Sequence, residues 1–342
     1  MGAMASALKN NDCLRTLSME YIYLHDGVGL GQLSESLSQN RTLHLFHTNS
    51  WDIPLREISV LCKALRINKS LTLKLPGVRG SDEESLSILF SALASNRKIK
   101  RLTVDVSGDP DARTAILCRT LESAGFIEFF RVKILNEKSA TEILRALTVN
   151  STIAELDMSF HMTAAERTMT AFSDMLSRNS AVTQFKCSFN AADVRPFVEA
   201  LAHGMLGNKL IVAFGYTVPA GTYFPPAVHG SVRRNGAALN RAIEFVLERR
   251  EDRRCAECFE IFFRHSVLIT NVMETAGMSD VEARLRVASA EERRREKYLI
   301  LAGVVRRSVA CWLSDVTQID ALNSDCWRVI GGYLSVTDVC CR

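Results

Sequence analysis

Apolar positions along the first two thirds of the chain recur in one phrase, Leu-x-x-Asn-x-x-aliphatic-x-x-aliphatic-x-aliphatic. It reads Leu8, Asn11, Leu14, Leu17, Met19, then Leu37, Asn40, Leu43, Phe46, then Leu93, Asn96, Ile99, Leu102, Val104. It returns as Leu147, Asn150, Ile153, Leu156, Met158, as Leu176, Asn179, Val182, Phe185, Cys187, and more weakly as Met205, Asn208, Ile211, Phe214, Tyr216. Two copies are altered but in phase. Leu121, Ala124, Ile127, Phe130, Val132 has Ala at the Asn position, and Leu65, Asn68, Leu71, Leu73, Leu75 is one residue short inside the strand. The period is about 28 residues, and a fixed period of that length marks a repeat architecture.

Within one copy, the alternation Ile153, Leu156, Met158 predicts a strand with one buried face. The stretch before each Asn has helical spacing, as in Leu86, Leu89, Phe90, Leu93 and in Phe172, Met175, Leu176. Asn tolerates the left-handed conformation in which helices commonly end, so its place after the helical run predicts a C-cap. Each repeat is therefore strand, loop, helix, turn. One repeat cannot bury its own apolar face, whereas stacked neighbours share a continuous core. The expectation is an α/β solenoid over residues 1–228, with about eight short parallel strands.

This phrase resembles the ribonuclease-inhibitor type of leucine-rich repeat, found also in NOD-like receptors and Ran GTPase-activating proteins. With the segment Arg233-Arg234-Asn235 through Ala242, Phe245 and Val246 that follows, the chain more closely resembles arthropod leucine-rich-repeat proteins labelled NLR family CARD-domain-like. The resemblance covers roughly residues 1–250 and implies a solenoid that binds proteins. The family usually carries a second Asn three residues after the strand's last apolar position, forming a hydrogen-bond ladder. Here only Asn190 fits; the equivalent sites hold Ile22, Trp51 and His161, which predicts irregular curvature.

After Phe224-Pro225-Pro226 the phrase stops, and nearby Gly221 and Gly230 mark a boundary. Residues 229–342 read as an all-helical subdomain. Ala238, Ala242, Ile243, Val246 form one stripe and Phe259, Phe262, Phe263, Val267 another. A third helix is predicted from about Ala290 to Leu313, starting in the charged run Glu291 to Lys297 and ending apolar. That run reads as a solvated helix face with i,i+4 pairs such as Glu291–Arg295.

Composition adds restraint more than direction. Of 342 residues, 47% are hydrophobic and the formal net charge is +4, spread evenly over both regions, so nothing favours nucleic acid. Ten scattered cysteines and no apparent signal peptide predict a reduced, cytoplasmic setting. The sequons at Asn40, Asn68 and Asn150 all fall on the repeat's structural Asn and read as packing. The start, Met1 to Ser6, formally matches a myristoylation signal, but Leu8 already belongs to a repeat. No apolar stretch approaches the ~18 residues of a membrane span; the longest, Tyr298 to Val305, reads as a buried helix segment.

Signs of catalysis or cofactors are weak. Cys255-x-x-Cys258 with His265 lacks a second ligand pair for tetrahedral zinc and reads as two buried helical thiols. Gly27-Val28-Gly29-Leu30-Gly31 lacks the Lys-Ser/Thr of a phosphate loop and reads as a strand-to-helix loop. The seven histidines pair with no nucleophile at a recognisable spacing. Neither enzyme activity, a cofactor, a metal nor a small-molecule substrate is expected.

Two alternatives carry specific residues. Leu322-Asn323-Ser324-Asp325-Cys326-Trp327, Ile330, Tyr333-Leu334 and Asp338-Val339 are similar to the first half of an F-box, which implies a ubiquitin-ligase substrate receptor. The plainer reading is an amphipathic last helix packing Trp327, Ile330 and Leu334. Likeness to the Ran activators implies a loop arginine beside a partner's nucleotide, and Arg79 is the candidate.

The leading expectation is a non-catalytic scaffold that binds a protein partner on the concave strand face. The outward strand residues proposed to do so are Lys100, Arg101, Phe129, Arg131, Glu155, Asp157 and Lys186. Phe129 is the aromatic anchor, since aromatic and Arg residues dominate interface hot spots. The grouping of Lys100, Arg101 and Arg131 predicts a partner with an acidic patch.

Overall fold

The computed structural model describes residues 2–19, 22–23, 28–43, 45–48, 51–52, 67, 72–74, 100–106, 111–123, 125–163, 165–190, 193–219, 222, 224–304 and 324–339. The chain divides into two compact units, Met1–Ser231 and Val232–Arg342.

The first unit alternates strands with helices. In chain order these are α1 (Gly2–Asn10), β1 (Thr16–Met19), β2 (Ile22–Tyr23), α2 (Val28–Gln39), β3 (Leu45–Thr48), β4 (Trp51–Asp52), β5 (Thr72–Lys74) and β6 (Arg101–Val106). Next come α3 (Asp111–Ser123), β7 (Phe129–Ile134), α4 (Glu137–Val149), β8 (Glu155–Phe160), α5 (Glu166–Arg178), β9 (Gln184–Phe189), α6 (Arg195–Gly207) and β10 (Ala213–Thr217). Every strand pairing among the described residues is parallel. One sheet has the order β1-β3-β5, another β10-β9-β8-β7-β6, and β2 pairs with β4. In the five-stranded sheet neighbouring strands are consecutive in sequence, and α1 packs on α2, α3 on α4, α4 on α5 and α5 on α6. This α/β arrangement is compatible with a solenoid.

Register follows the phrase: Leu102 pairs with Phe130, Phe130 with Leu156, Leu156 with Phe185 and Phe185 with Phe214. The shortened copy also registers, because Leu73 pairs with Phe46. The strands run further than the phrase indicated. They end on Ile134, Phe160 and Phe189, all fully buried. Phe160 sits 5.3 Å from Phe172, 5.5 Å from Phe189 and 5.2 Å from Phe197, measured between ring centroids. A layer of phenylalanines thus closes the core beneath the strand ends.

The repeated Asn works differently from the expected left-handed cap. Asn150, Asn179 and Asn208 follow their helices with extended backbone, φ −68°, −61° and −71°. What selects Asn is its amide, which donates and accepts at once. Asn179 Nδ2 donates to the carbonyls of Leu147 at 2.6 Å and Asn150 at 3.1 Å in the preceding repeat. Its Oδ1 accepts from the backbone N–H groups of Ala181 and Val182 at 2.9 and 2.8 Å. Asn40 bridges in the same way to Leu8 and Asn11, and Asn208 to Leu176. Each such residue is buried and satisfies backbone groups that the turn would otherwise orphan. The ladder missing at the second Asn position is therefore built at the first. At the second, Ile22 and Trp51 pair in β2 and β4, and Asn190 Nδ2 lies 3.4 Å from His161 Nε2.

Two further devices bind helix to helix. Thr114 and Ser139 hydroxyls lie 2.7 Å apart and those of Thr141 and Thr168 3.1 Å apart, all buried. At Gly204 a Cβ would stand 2.7 Å from Leu176 Cβ and 2.8 Å from the Ser173 carbonyl oxygen, so α6 reaches α5 only because the residue is glycine. Gly29 to Gly31, expected in a loop, instead open α2, which begins at Val28.

The boundary between the units falls inside α7 (Pro226–Val246). The second unit continues with α8 (Arg253–Phe262), α9 (Ser266–Ala276), α10 (Asp280–Glu296), α11 (Tyr298–Leu301), α12 (Ser324–Tyr333) and a 3-10 turn at Val336–Asp338. Its apolar stripes are buried as read, with Ala242, Val246, Phe259 and Phe262 all at most 1% exposed. The third predicted helix is misplaced. α10 starts at Asp280 because Ser279 and Glu282 form a reciprocal capping box, so the run Glu291–Lys297 ends this helix instead of starting one. Nor is the run simply solvated. The i,i+4 pair Arg295–Glu291 forms at 2.8 Å, yet Arg294 is only 4% exposed and bonds Glu291, Glu260 and the carbonyls of Leu334 and Gly331. Tyr298 and Leu301 are buried, but α11 is one turn, and Gly303 at φ 77° breaks the chain's helical course.

Candidate functional site

Helices cover one face of the five-stranded sheet, and the alternation of side chains sends the other set outward. On β7 the burial alternates, with Phe130, Val132 and Ile134 buried and Phe129, Arg131 and Lys133 outside. On β9, Phe185, Cys187 and Phe189 are buried while Gln184, Lys186 and Ser188 face out. Parallel register turns the outer face into a grid. One row holds Arg101, Phe129, Glu155, Gln184 and Ala213. The next holds Thr103, Arg131, Asp157, Lys186 and Gly215, and the third Asp105, Lys133, Ser159, Ser188 and Thr217.

The expected residues gather on this face, but the predicted basic cluster is neutralised. Lys100 pairs with Glu128. Arg101 reaches Glu155 at 3.7 Å, and Arg131 Nη2 and Nε both donate to Asp157 Oδ2, at 2.7 and 2.8 Å. Lys100 and Arg131 find their carboxylates one repeat on and Arg101 two repeats on, across Phe129, a consequence of charges in the same phase of successive repeats. Mutual repulsion among three cations is thus replaced by three cross-strand pairs. The first two are about half exposed and contribute little to stability. Asp157 is more enclosed, its side chain 12% exposed. Burial, and secondarily the Asp157 carboxylate, pushes the Cys187 thiol on the inner face well above the usual range.

Phe129 is the aromatic of the grid. The Arg101 guanidinium lies 3.9 Å from its ring centroid and that of Arg131 5.7 Å away. Lys186 stands apart, exposed and without an ion-pair partner among the described residues. Sequence reasoning missed Lys133, Ser159 and Ser188, the row beyond the phrase's last position; continuing the alternation one step would have reached them. Lys133, in register with Asp105, likewise forms no ion pair among the residues whose side chains are described. Ser188 Oγ donates to Ser159 Oγ at 2.7 Å.

Other candidates fall elsewhere. Cys255 and Cys258 are buried on α8, and burial above all raises both thiols, Cys255 to about 11. No group of three or more potential metal ligands occurs among the described residues. Arg79, Leu322, Asn323 and His44 lie outside the described residues, as do the side chains of Trp327 and His47. On α12, Val329 is 62%, Ile330 37% and Tyr333 87% exposed, so the expected inward packing of Ile330 is incomplete. A groove of about 410 Å³ between α4 and α5 is lined by Arg145, Arg167 and Arg178 together with Glu166 and Asp174. No described helix is long and apolar enough to cross a membrane. No family model and no curated protein matches the chain.

Proposed function

We propose that the first unit is a leucine-rich-repeat solenoid of the ribonuclease-inhibitor type, with about eight repeats, and that it acts by binding a protein on its concave strand face without catalysing a reaction. Support for the repeat type comes from the Asn bridges between successive turns and the continuous parallel register. The observation that carries the binding role is Phe129, presented outward on a rigid strand and flanked by two guanidinium groups. Large side chains on fixed backbone lose little entropy on binding, and Phe with Arg suits the centre of an interface. A regulatory or innate-immune setting, cytoplasmic, fits the family likeness.

The test is affinity capture from the source cells with mass spectrometry, comparing wild type with Phe129→Ala. Loss of a hot-spot aromatic should weaken capture at least tenfold (about 1.4 kcal/mol or more). Stability should change little, because Phe129 is not buried. Undiminished capture would remove this face from the interface. A second reading has its own observation, the exposed Val329, Ile330 and Tyr333 of α12. Partner recovery that survives Phe129→Ala but disappears on deleting residues 322–342 would favour a ubiquitin-ligase substrate receptor.

A further inference from the structure

We infer that Lys133, Lys186 and the Ser159–Ser188 hydroxyl pair form the point at which this face receives an acidic segment of a protein partner. The inference rests on the interface reading above and changes where its charge selectivity lies. The described carboxylates of the face, Glu128, Glu155 and Asp157, are committed to Lys100, Arg101 and Arg131. Among the residues whose side chains are described, Lys133 and Lys186 form no ion pair, with Asp105 in register beside the first and Asp157 beside the second.

The register brings the four residues together. Lys133 pairs with Ser159 and Ser159 with Ser188, so three neighbouring strands contribute to one row. Lys186 precedes Ser188 by two positions on β9 and therefore projects from the same face. Strands lie about 5 Å apart, so the two lysine stems flank the serine pair within reach of a common anion. Lys186 has one charged register neighbour, Asp157. Asp157 is taken by Arg131, and Gly215 on the other side has no side chain at all. A Cβ at Gly215 would come within 3.5 Å of Lys186 Cγ.

The hydroxyls complete the donor set. Ser188 spends its proton on Ser159 Oγ, which leaves the Ser159 O–H to donate to a ligand. Two ammoniums and one hydroxyl on fixed strands suit a carboxylate, which accepts through two oxygens. An acidic protein segment supplies such groups in series along the grid.

Fluorescence anisotropy with labelled hexaglutamate at low salt tests this on the full chain. Wild type should bind saturably, and the Lys133→Gln/Lys186→Gln double variant at least tenfold more weakly. Lys209→Gln, an exposed lysine in the turn before β10, should bind within twofold of wild type. Equal binding by the double variant, equal weakening by Lys209→Gln, or tighter binding of an oligothymidylate than of hexaglutamate would each overturn the proposal. Phosphoserine peptides of matched charge that bind more than tenfold tighter would also overturn it in favour of a phosphate site. Unchanged hexaglutamate binding in the double variant, with partner capture still sensitive to Phe129→Ala, would sink this subsite and leave the interface standing.

Discussion

Asn179 makes four hydrogen bonds that join two consecutive turns, and no other side chain of its size could do so. Asn179→Ala strands buried carbonyls and amides, each costing roughly 1–3 kcal/mol when unpaired. Denaturant unfolding should show a loss of about 2 kcal/mol or more, and a loss below about 0.5 kcal/mol would mean that water replaces the amide. Leu156 is 2% exposed between Phe130 and Phe185 in register. Leu156→Ala should cost about 2–5 kcal/mol through lost burial and a cavity, read in the same experiment. At this scale the sequence is informative about phase, because a period of two sorts inward from outward residues. It is silent about why Asn recurs, since helix capping and inter-repeat bridging both select the residue. Only the extended φ values separate them.

Elements in the second unit are joined by charge as much as by apolar surface. Arg294 on α10 bonds the Gly331 and Leu334 carbonyls, and Glu260 on α8 accepts from Arg294, Ser335 Oγ and Val336 N–H. Arg253 adds bonds to the carbonyls of Ala302 and Val339. Among the described residues these contacts reach α12 and the 3-10 turn, and Val336 is the fully buried residue of the turn. Removing one member of a buried pair leaves the other charge unpaired, so Arg294→Ala should destabilise this unit by about 3–5 kcal/mol. The Val336 amide should then lose its protection in hydrogen exchange; retained protection would show that apolar packing suffices. The charge run was visible in sequence, but its role was not. Apart from the local pairs to Glu291, the partners of Arg294 lie more than thirty residues away, and the Ser279–Glu282 box that places the helix precedes the run.

For the first unit as a whole, periodicity was enough to indicate parallel strands alternating with helices, since no other arrangement buries the same face in every copy. The charge balance of the outer face was harder to read. Lys100 and Glu128, or Arg131 and Asp157, occupy neighbouring repeats, and their pairing appears only once strand register is fixed. On the proposed reading those pairs tune binding more than folding. Glu128→Gln and Glu155→Gln together should change stability by no more than about 1 kcal/mol per exposed pair. They should also strengthen hexaglutamate binding severalfold by freeing Lys100 and Arg101. Calorimetry alongside anisotropy checks both, and weaker binding would show that the carboxylates themselves contact the ligand.

Pulling on the chain gives the amide bridges a mechanical meaning. A strand of a parallel stack parts from its neighbour only when its backbone pairs and the side-chain tie at its turn give way together. Asn150, Asn179 and Asn208 provide such ties in succession. Ala124, at the corresponding place one turn earlier, has no amide and can provide none. Tension applied from the N-terminal side would therefore meet the Asn40 tie, then a weaker joint at the Ala124 copy, and stiffer resistance again from Asn150 onward. The rupture force would dip at the copy that carries Ala124 and rise again at Asn150, so that copy is the expected parting line of the stack.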